Sequence, residues 1–494
     1  MDSPTINGDT GGFVDIDSID MTMLEPDNKT QRTVRGHHKA SRHRVLGTLG
    51  IAAITYFAGC GGPIRSEPII SAAGPLIGIA SLIVYPLVVT VPYAFIVAEL
   101  CSAFPEDGGF AIWVQKAFGS FWGFQVGYWS WISGVFKGAL LPGFLLQIVF
   151  EPLGVEIKSK TLLYMLKLFI AVVLAVPSLV GTTSVEKLCV SLLFVVLVPA
   201  LVFTVWGYVE AIDYEDLWEL RHETIIYSAD KGDEIQVGAL AIQWKLFLNT
   251  LFWSFDGINT ASLFGGEVAN PSRVYSRAIA LTIALTIATY IVPLPAGVVT
   301  DHPNWTLFTR NSYPSIARSI GGSTLETIIV VASVGSVVGL FVSGIFCKSF
   351  EMSGMADEGM LPSIFAKRNT RFDSPHNAIL VTLFFTVVLL GVDFDELVPM
   401  TNAFAGAVQL LILLSAMRLR QLLPYIPRPV RAPGGVRTLA ALSIVPSIML
   451  GYITVSAFED WLAALIIVVF LVPGLVYGVL RFSLDAPSVG APVA

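Results

Sequence analysis

From residue 45 to residue 482 the chain alternates long apolar runs with short polar ones. The runs cover about 45–73, 75–104, 120–149, 161–180, 184–209, 239–268, 273–300, 324–353, 376–391, 393–418, 437–458 and 460–482. A helix needs roughly 20 such residues to cross a bilayer. The pattern therefore predicts an all-α integral membrane protein of about twelve transmembrane helices, the ninth being the shortest. Residues 1–44 are polar, and no signal peptide is expected in them because the first 30 hold no apolar core. They are expected to be a disordered tail. A short Pro- and Ala-rich tail follows residue 482.

Two runs are interrupted. The first contains "YFAGCGGPIRSE", residues 56–67, where Gly59, Gly61, Gly62 and Pro63 surround Cys60. The sixth contains "FWSFDGINTASLFGGE", residues 252–267, with Ser254, Asp256, Gly257, Asn259 and Thr260 in mid-run. Asp, Gly and Asn are poor residues for a helix interior, and their side chains compete for backbone groups. No water inside a bilayer satisfies a broken backbone. Breaks at matched places in two halves point to a binding site near the midplane between inverted repeats, where freed N–H and C=O groups hold a polar solute or ion. The plainer alternative is a pair of kinks or close helix contacts.

Composition narrows the class. Hydrophobic residues make up 54% of the chain and charged residues only 14%, which places it among membrane proteins. Charge location sets the orientation. Arg35, Lys39, Arg42 and Arg44 precede the first span. Lys116, Lys187, Arg273, Arg277, Lys367, Arg368, Arg371, Arg418, Arg420, Arg428, Arg431 and Arg437 fall on that same side, and the acidic segment 210–234 falls on the other. Both termini are thus expected in the cytoplasm. The sequon at Asn304 falls in a loop that faces outward in this topology; the one at Asn28 is cytoplasmic and silent. The basic run 32–44 can also bind anionic lipid headgroups. Four cysteines, Cys60, Cys101, Cys189 and Cys347, lie in or at the ends of apolar runs and form no CxxC pair, which speaks against metal or redox chemistry. No HExxH, P-loop or Ser-His-Asp pattern supports an enzyme.

Four stretches carry a resemblance to the amino acid–polyamine–organocation transporters, over roughly residues 40–480: "YFAGCGGPIRSEPIISAAGP", "AELCSAFPEDGGFAIWVQKAFG" (98–119), "MADEGMLPSIFAKRNTRFDSPHNAIL" (355–380) and "RPVRAPGG" (428–435). Residues 123–142 and 249–273 look most like the eukaryotic polyamine-uptake branch. The resemblance implies a leucine-transporter-like fold, a 5+5 inverted repeat with helices 1 and 6 broken. The first repeat is expected over about 45–209, the second over 239–418, with extra helices over 437–482. It further implies a proton- or sodium-coupled symporter or exchanger. Plant members carry an acid in the third span where this chain has Lys137, and another near Val126. In the sixth span the acid stands at Asp256, with Asn259 where plants often have Asp.

The expected function is secondary uptake of polyamines or related organic cations by alternating access, since a channel would lack the matched breaks that point to a closed site; an amino acid permease of the same fold is the alternative, and a non-transporting solute sensor a further one. The expected substrate site combines Gly59, Cys60, Gly61 and Gly62 with Tyr128, Trp253, Asp256, Gly257 and Asn259. An ionisable residue inside a span costs roughly 2.5–3.5 kcal/mol on insertion scales. Asp256 is therefore read as a ligand for a substrate ammonium, with an ion pair to Lys137 or a cap on the second half-helix as alternatives. Lys137 can replace a coupling cation, pair with Asp256 or receive a carboxylate. Glu267 is a gate or proton relay, or an ion-pair partner of Arg273. Glu99 is read as scaffold. Trp129 and Trp131 join Tyr128 and Trp253 as aromatic candidates for cation–π contact or for packing. Ser333 and Ser336, with carbonyls around Ala58, are a candidate sodium site or a close helix contact. Lys187 is a proton-coupling candidate or a topological anchor. No cofactor, metal or nucleic acid is expected; the coupling ion is a proton, with sodium as the alternative. The expected partners are a small-molecule substrate and the lipid bilayer, in the plasma membrane.

Overall fold

The computed structural model describes residues 44–155, 157–221, 226–230, 233–237, 241–300, 303–392 and 394–482. The N-terminal tail with its basic run and the tail after 482 lie outside the described residues. Within them, nine helices are long and apolar enough to cross a membrane.

The first run splits into α1 (Thr48–Gly59) and the short α2 (Pro68–Ala73). Gly61 and Gly62 adopt φ values of 75° and 146°, which glycine reaches without a steric cost. Pro63 has no N–H to continue the ladder, and Pro68 restarts a helix at a position suited to proline. The second run comprises α3 (Pro75–Tyr85), a π-helical turn at Pro86–Thr90 and α4 (Val91–Ala103). A short helix α5 (Phe110–Phe118) leads into α6 (Ser120–Phe150). With 1.5 Å of rise per residue, α6 spans roughly 46 Å, long enough to cross with tilt. Then come α7 (Lys160–Val180) and α8 (Thr182–Val209).

Two short strands, β1 (Ile226–Asp230) and β2 (Asp233–Val237), form an antiparallel hairpin. With two isolated β-bridges, Leu46 to Val268 and Asp107 to Phe264, it makes up the β-structure among the described residues. The sixth run starts as α9 (Trp244–Phe255) and stops at Asp256, whose backbone is extended. The expected second half-helix is instead two 3-10 turns, Ile258–Ser262 and Gly265–Glu267. Local side-chain bonds explain the difference: Thr260 Oγ1 donates to the Gly257 carbonyl at 2.5 Å and Ser262 Oγ to the Asn259 carbonyl at 2.7 Å.

The remaining elements are α10 (Pro271–Ile291), α11 (Pro293–Val298), α12 (Tyr313–Asp357), α13 (His376–Val388), α14 (Phe394–Leu422), α15 (Val436–Ser456) and α16 (Trp461–Phe482). Gly321 and Gly322 break α12, so Tyr313–Ile320 stands apart from the expected eighth span. Glu67, just past the first break, caps that piece: its Oε1 accepts from the Ser312 and Tyr313 N–H groups at 3.0 and 3.2 Å, which suits a carboxylate at a helix N-terminus.

Burial sorts the helices. Residues 50–59 of α1 are all buried, and α12 packs against α1, α6 and α8. By contrast α7, α15 and α16 turn Phe169, Val173, Ile448, Val455, Val469 and Leu480 outward, an apolar surface of the kind that lipid covers. The interrupted runs therefore occupy the middle of the bundle.

Candidate functional site

The two breaks touch. A Cβ on Gly59 would lie 2.3 Å from the Asp256 carbonyl oxygen, and one on Gly257 would lie 2.5 Å from Gly59 Cα. Glycine at both positions lets the backbones meet. Gly257 also has φ 104°, a second reason for glycine.

A helix leaves its last carbonyls without N–H partners. Lys137 of α6 reaches across to them: its Nζ donates to the Ala58 oxygen at 2.8 Å and the Gly59 oxygen at 3.3 Å. The same ammonium lies 5.0 Å from the Trp253 ring centre, within cation–π range. Asp256 takes a neutral partner instead, with Gln409 Nε2 donating to its Oδ1 at 2.5 Å. Among the described residues Lys137 and Asp256 form no salt bridge. Asn259 is buried, and its Oδ1 has no hydrogen-bond partner among the described residues. Cys60 is buried in the break, its thiol 3.8 Å from the Gly62 carbonyl. Arg65, absent from the expected site, extends from the same break over Phe144 and Trp253, at 4.2 and 5.4 Å. Its φ of 73° puts it in a strained region for a side-chain-bearing residue. A cavity of about 450 Å³ has Arg65 and Trp253 in its wall, together with Lys245, Asn249, Arg310 and Pro399.

Other expected site residues lie elsewhere. Tyr128 donates its hydroxyl to the Phe470 carbonyl at 2.8 Å and packs on Gly474, so it belongs to the contact with α16. Trp131 donates to Thr382 Oγ1 at 3.0 Å. Lys187 is exposed on α8 and takes no part in the central cluster. Ser333 and Ser336 are buried, with hydroxyls that have no partner among the described residues. They line a space of about 10 Å³ beside Pro63 and Ile64, while the Ala58 carbonyl expected to join them is held by Lys137. Asn304 Oδ1 accepts from the Thr306 N–H and hydroxyl at 3.0 and 2.7 Å.

A second charged cluster closes one end of the bundle. Arg368 reaches Asp107 at 2.7 Å and Glu267 at 2.6 Å. Asp107 also accepts from the Gly266 N–H at 2.7 Å, and Glu267 from Thr182 Oγ1 at 3.0 Å. Glu267 thus pairs with Arg368 rather than the expected Arg273. Burial works against the Arg368 charge, and the two carboxylates outweigh it, holding its guanidinium above its ordinary range. At the same end, Glu99 joins Arg420 at 2.5 Å and Arg428 at 3.0 Å, tying α4 to the end of α14 and to the segment that follows it. The sequence contained a signal for Asp107, an ionisable group beside an apolar run, but its partner Arg368 lies too far along the chain to be paired by spacing.

A family model described as amino acid permease matches residues 46–486. The chain belongs to the amino acid permease family. The permease is 30% identical over 459 residues to the polyamine transporter RMV1 of Arabidopsis thaliana, covering 93% of this chain and 88% of that protein. It is 29% identical over 416 residues to the polyamine transporter PUT1 of Oryza sativa subsp. japonica, covering 84% and 74%. These similarities make it a secondary transporter rather than an enzyme, built as a multi-pass membrane protein, and the leucine-transporter-like arrangement fits the family.

Proposed function

We propose that this permease takes up amine-bearing solutes, polyamines first, by proton-coupled alternating access around the two breaks. The observation that carries the reading is Asp256: a carboxylate where the breaks meet, held by an amide that an ammonium can displace. A polyamine loses water on entry and needs an anionic partner in return. The similarity to transporters named for polyamines supports the same substrate class. With Lys137 on the Ala58 and Gly59 carbonyls, a cation fixed to the protein sits where a free coupling ion would otherwise gather carbonyls, which favours a proton over sodium.

Arg65 and Lys137 favour a second reading. Two cationic side chains beside one carboxylate suit a solute that carries a carboxylate as well as an amine. In either case the repeats are those expected over 45–209 and 239–418, both termini are cytoplasmic, Asn304 faces out and the protein resides in the plasma membrane.

Matched pairs that differ by one carboxylate test the readings. Ornithine is set against putrescine and lysine against cadaverine, in transport-deficient cells expressing the full chain. Saturable putrescine and cadaverine uptake supports the polyamine reading. Uptake of ornithine and lysine alone moves the substrate to a diamino acid. Uptake of none of the four sinks both.

A further inference from the structure

A buried ion pair lies between the central cluster and the closed end. Glu351 of α12 is fully buried, and Lys348, one turn earlier, is nearly so. Glu351 Oε2 accepts from Lys348 Nζ and from Ser130 Oγ of α6, each at 3.0 Å, and Lys348 also bonds Ser130. Oε1 has no hydrogen-bond partner among the described residues. An incompletely satisfied buried carboxylate is costly, and an ionisable pair inside a span is a functional candidate by default.

Its surroundings connect it in both directions. A Cβ on Gly134 would lie 2.5 Å from the Lys348 side chain, so Lys348 runs along a groove in α6. Ser130, Gly134 and Lys137 are spaced four and three residues apart, which places them on one face of that helix. The face leads from Glu351 through Lys348 to Lys137 and the first break. In the other direction, Phe350 lies 4.8 Å beneath the Arg368 guanidinium, and Gly354 packs directly on Asp107 and Gly108. Glu351 therefore sits just behind the closed end. The charged and titratable groups around it are Lys348 and Cys347 on its own helix, Lys137 on α6, Asp107 in the loop packed on Gly354, and Arg368 above Phe350; Ser130 on α6 is neutral.

We infer that Glu351 carries the coupling proton of this transporter, exchanging it with water when Arg368 releases Asp107 and Glu267. The inference rests on the reading of proton-coupled transport. The carboxylate gains a proton from water at one stage of the cycle and returns it to water at another, and Lys348 alternates between pairing with the ionised acid and losing that partner. No other co-reactant is required.

Full-length protein in proteoliposomes tests this with radiolabelled putrescine and, separately, ornithine. Two assays are compared for Glu351→Gln: counterflow, which needs no net proton movement, and accumulation driven by an imposed pH gradient. The expected result is that counterflow persists while accumulation and its pH dependence are lost, and that Glu351→Asp restores accumulation. Gradient-driven accumulation by Glu351→Gln at the wild-type level overturns the inference. Loss of counterflow together with accumulation also overturns it, assigning the pair to structure. A wild type that transports neither probe sinks the transport reading itself.

Discussion

The closed end and the centre are both charged, and they are built on opposite plans. At the closed end one guanidinium meets two carboxylates, and a backbone N–H and a hydroxyl occupy further carboxylate oxygens. At the centre each charge rests on a neutral group: Lys137 on carbonyls, Asp256 on an amide. Bonds in both clusters are charge-assisted, but only at the closed end are both partners ionised, so that separating them leaves an uncompensated buried charge. The first arrangement holds segments together until something breaks it. The second can trade its partners for a solute's charged groups at little cost. The two clusters thus suit a latch and a binding site, and the difference follows from partner type rather than from the amount of charge.

Removing the latch should have the largest effect. Arg368→Gln leaves Asp107 and Glu267 buried without their cation, and breaking such a pair costs about 3–5 kcal/mol. Thermal unfolding of the purified protein should show a marked loss of stability, and labelling of the buried Cys101, two residues from Glu99 on α4, should rise. Unchanged stability would remove the distinction between the clusters. Asp256→Asn should act on binding instead. Truncating a buried charged partner costs at least about 2 kcal/mol, roughly 30-fold in apparent affinity, with unfolding little changed. An equal loss of stability in this variant would make Asp256 a structural group like Arg368. The smallest effect is expected for Trp253→Leu. A cation–π contact contributes about 1 kcal/mol, so uptake affinity should fall about fivefold, and a larger loss would mean that the ring touches the solute directly.

Much of this was legible from residue order. The stretches at 120–149, 161–180 and 460–482 anticipate α6, α7 and α16 within a few residues, because membrane spans announce themselves by length and apolarity. Both interruptions were visible in their Gly, Pro and Asp content. The character of the second half of the sixth run was not, since hydroxyl-to-carbonyl bonds from Thr260 and Ser262 turned it into 3-10 structure. Tyr128 illustrates another limit: an aromatic on a central helix can face either neighbour, and only packing against Gly474 assigned it to α16. Arg65 stood inside the quoted break, yet its direction depended on backbone dihedrals that glycine-rich sequence leaves open.

By itself the sequence determined that the chain is a bundle of membrane helices, that the backbone breaks at two places, and that ionisable groups stand inside the apolar runs. These are local properties, set by side-chain chemistry and by neighbours within a turn or two. The tertiary structure alone decided which groups meet. Lys137 finds carbonyls 79 and 78 residues away, Arg368 a carboxylate 101 away and Asp256 an amide 153 away. Partner choice at such separations is made by helix packing, because only the packed bundle brings those groups within bonding distance.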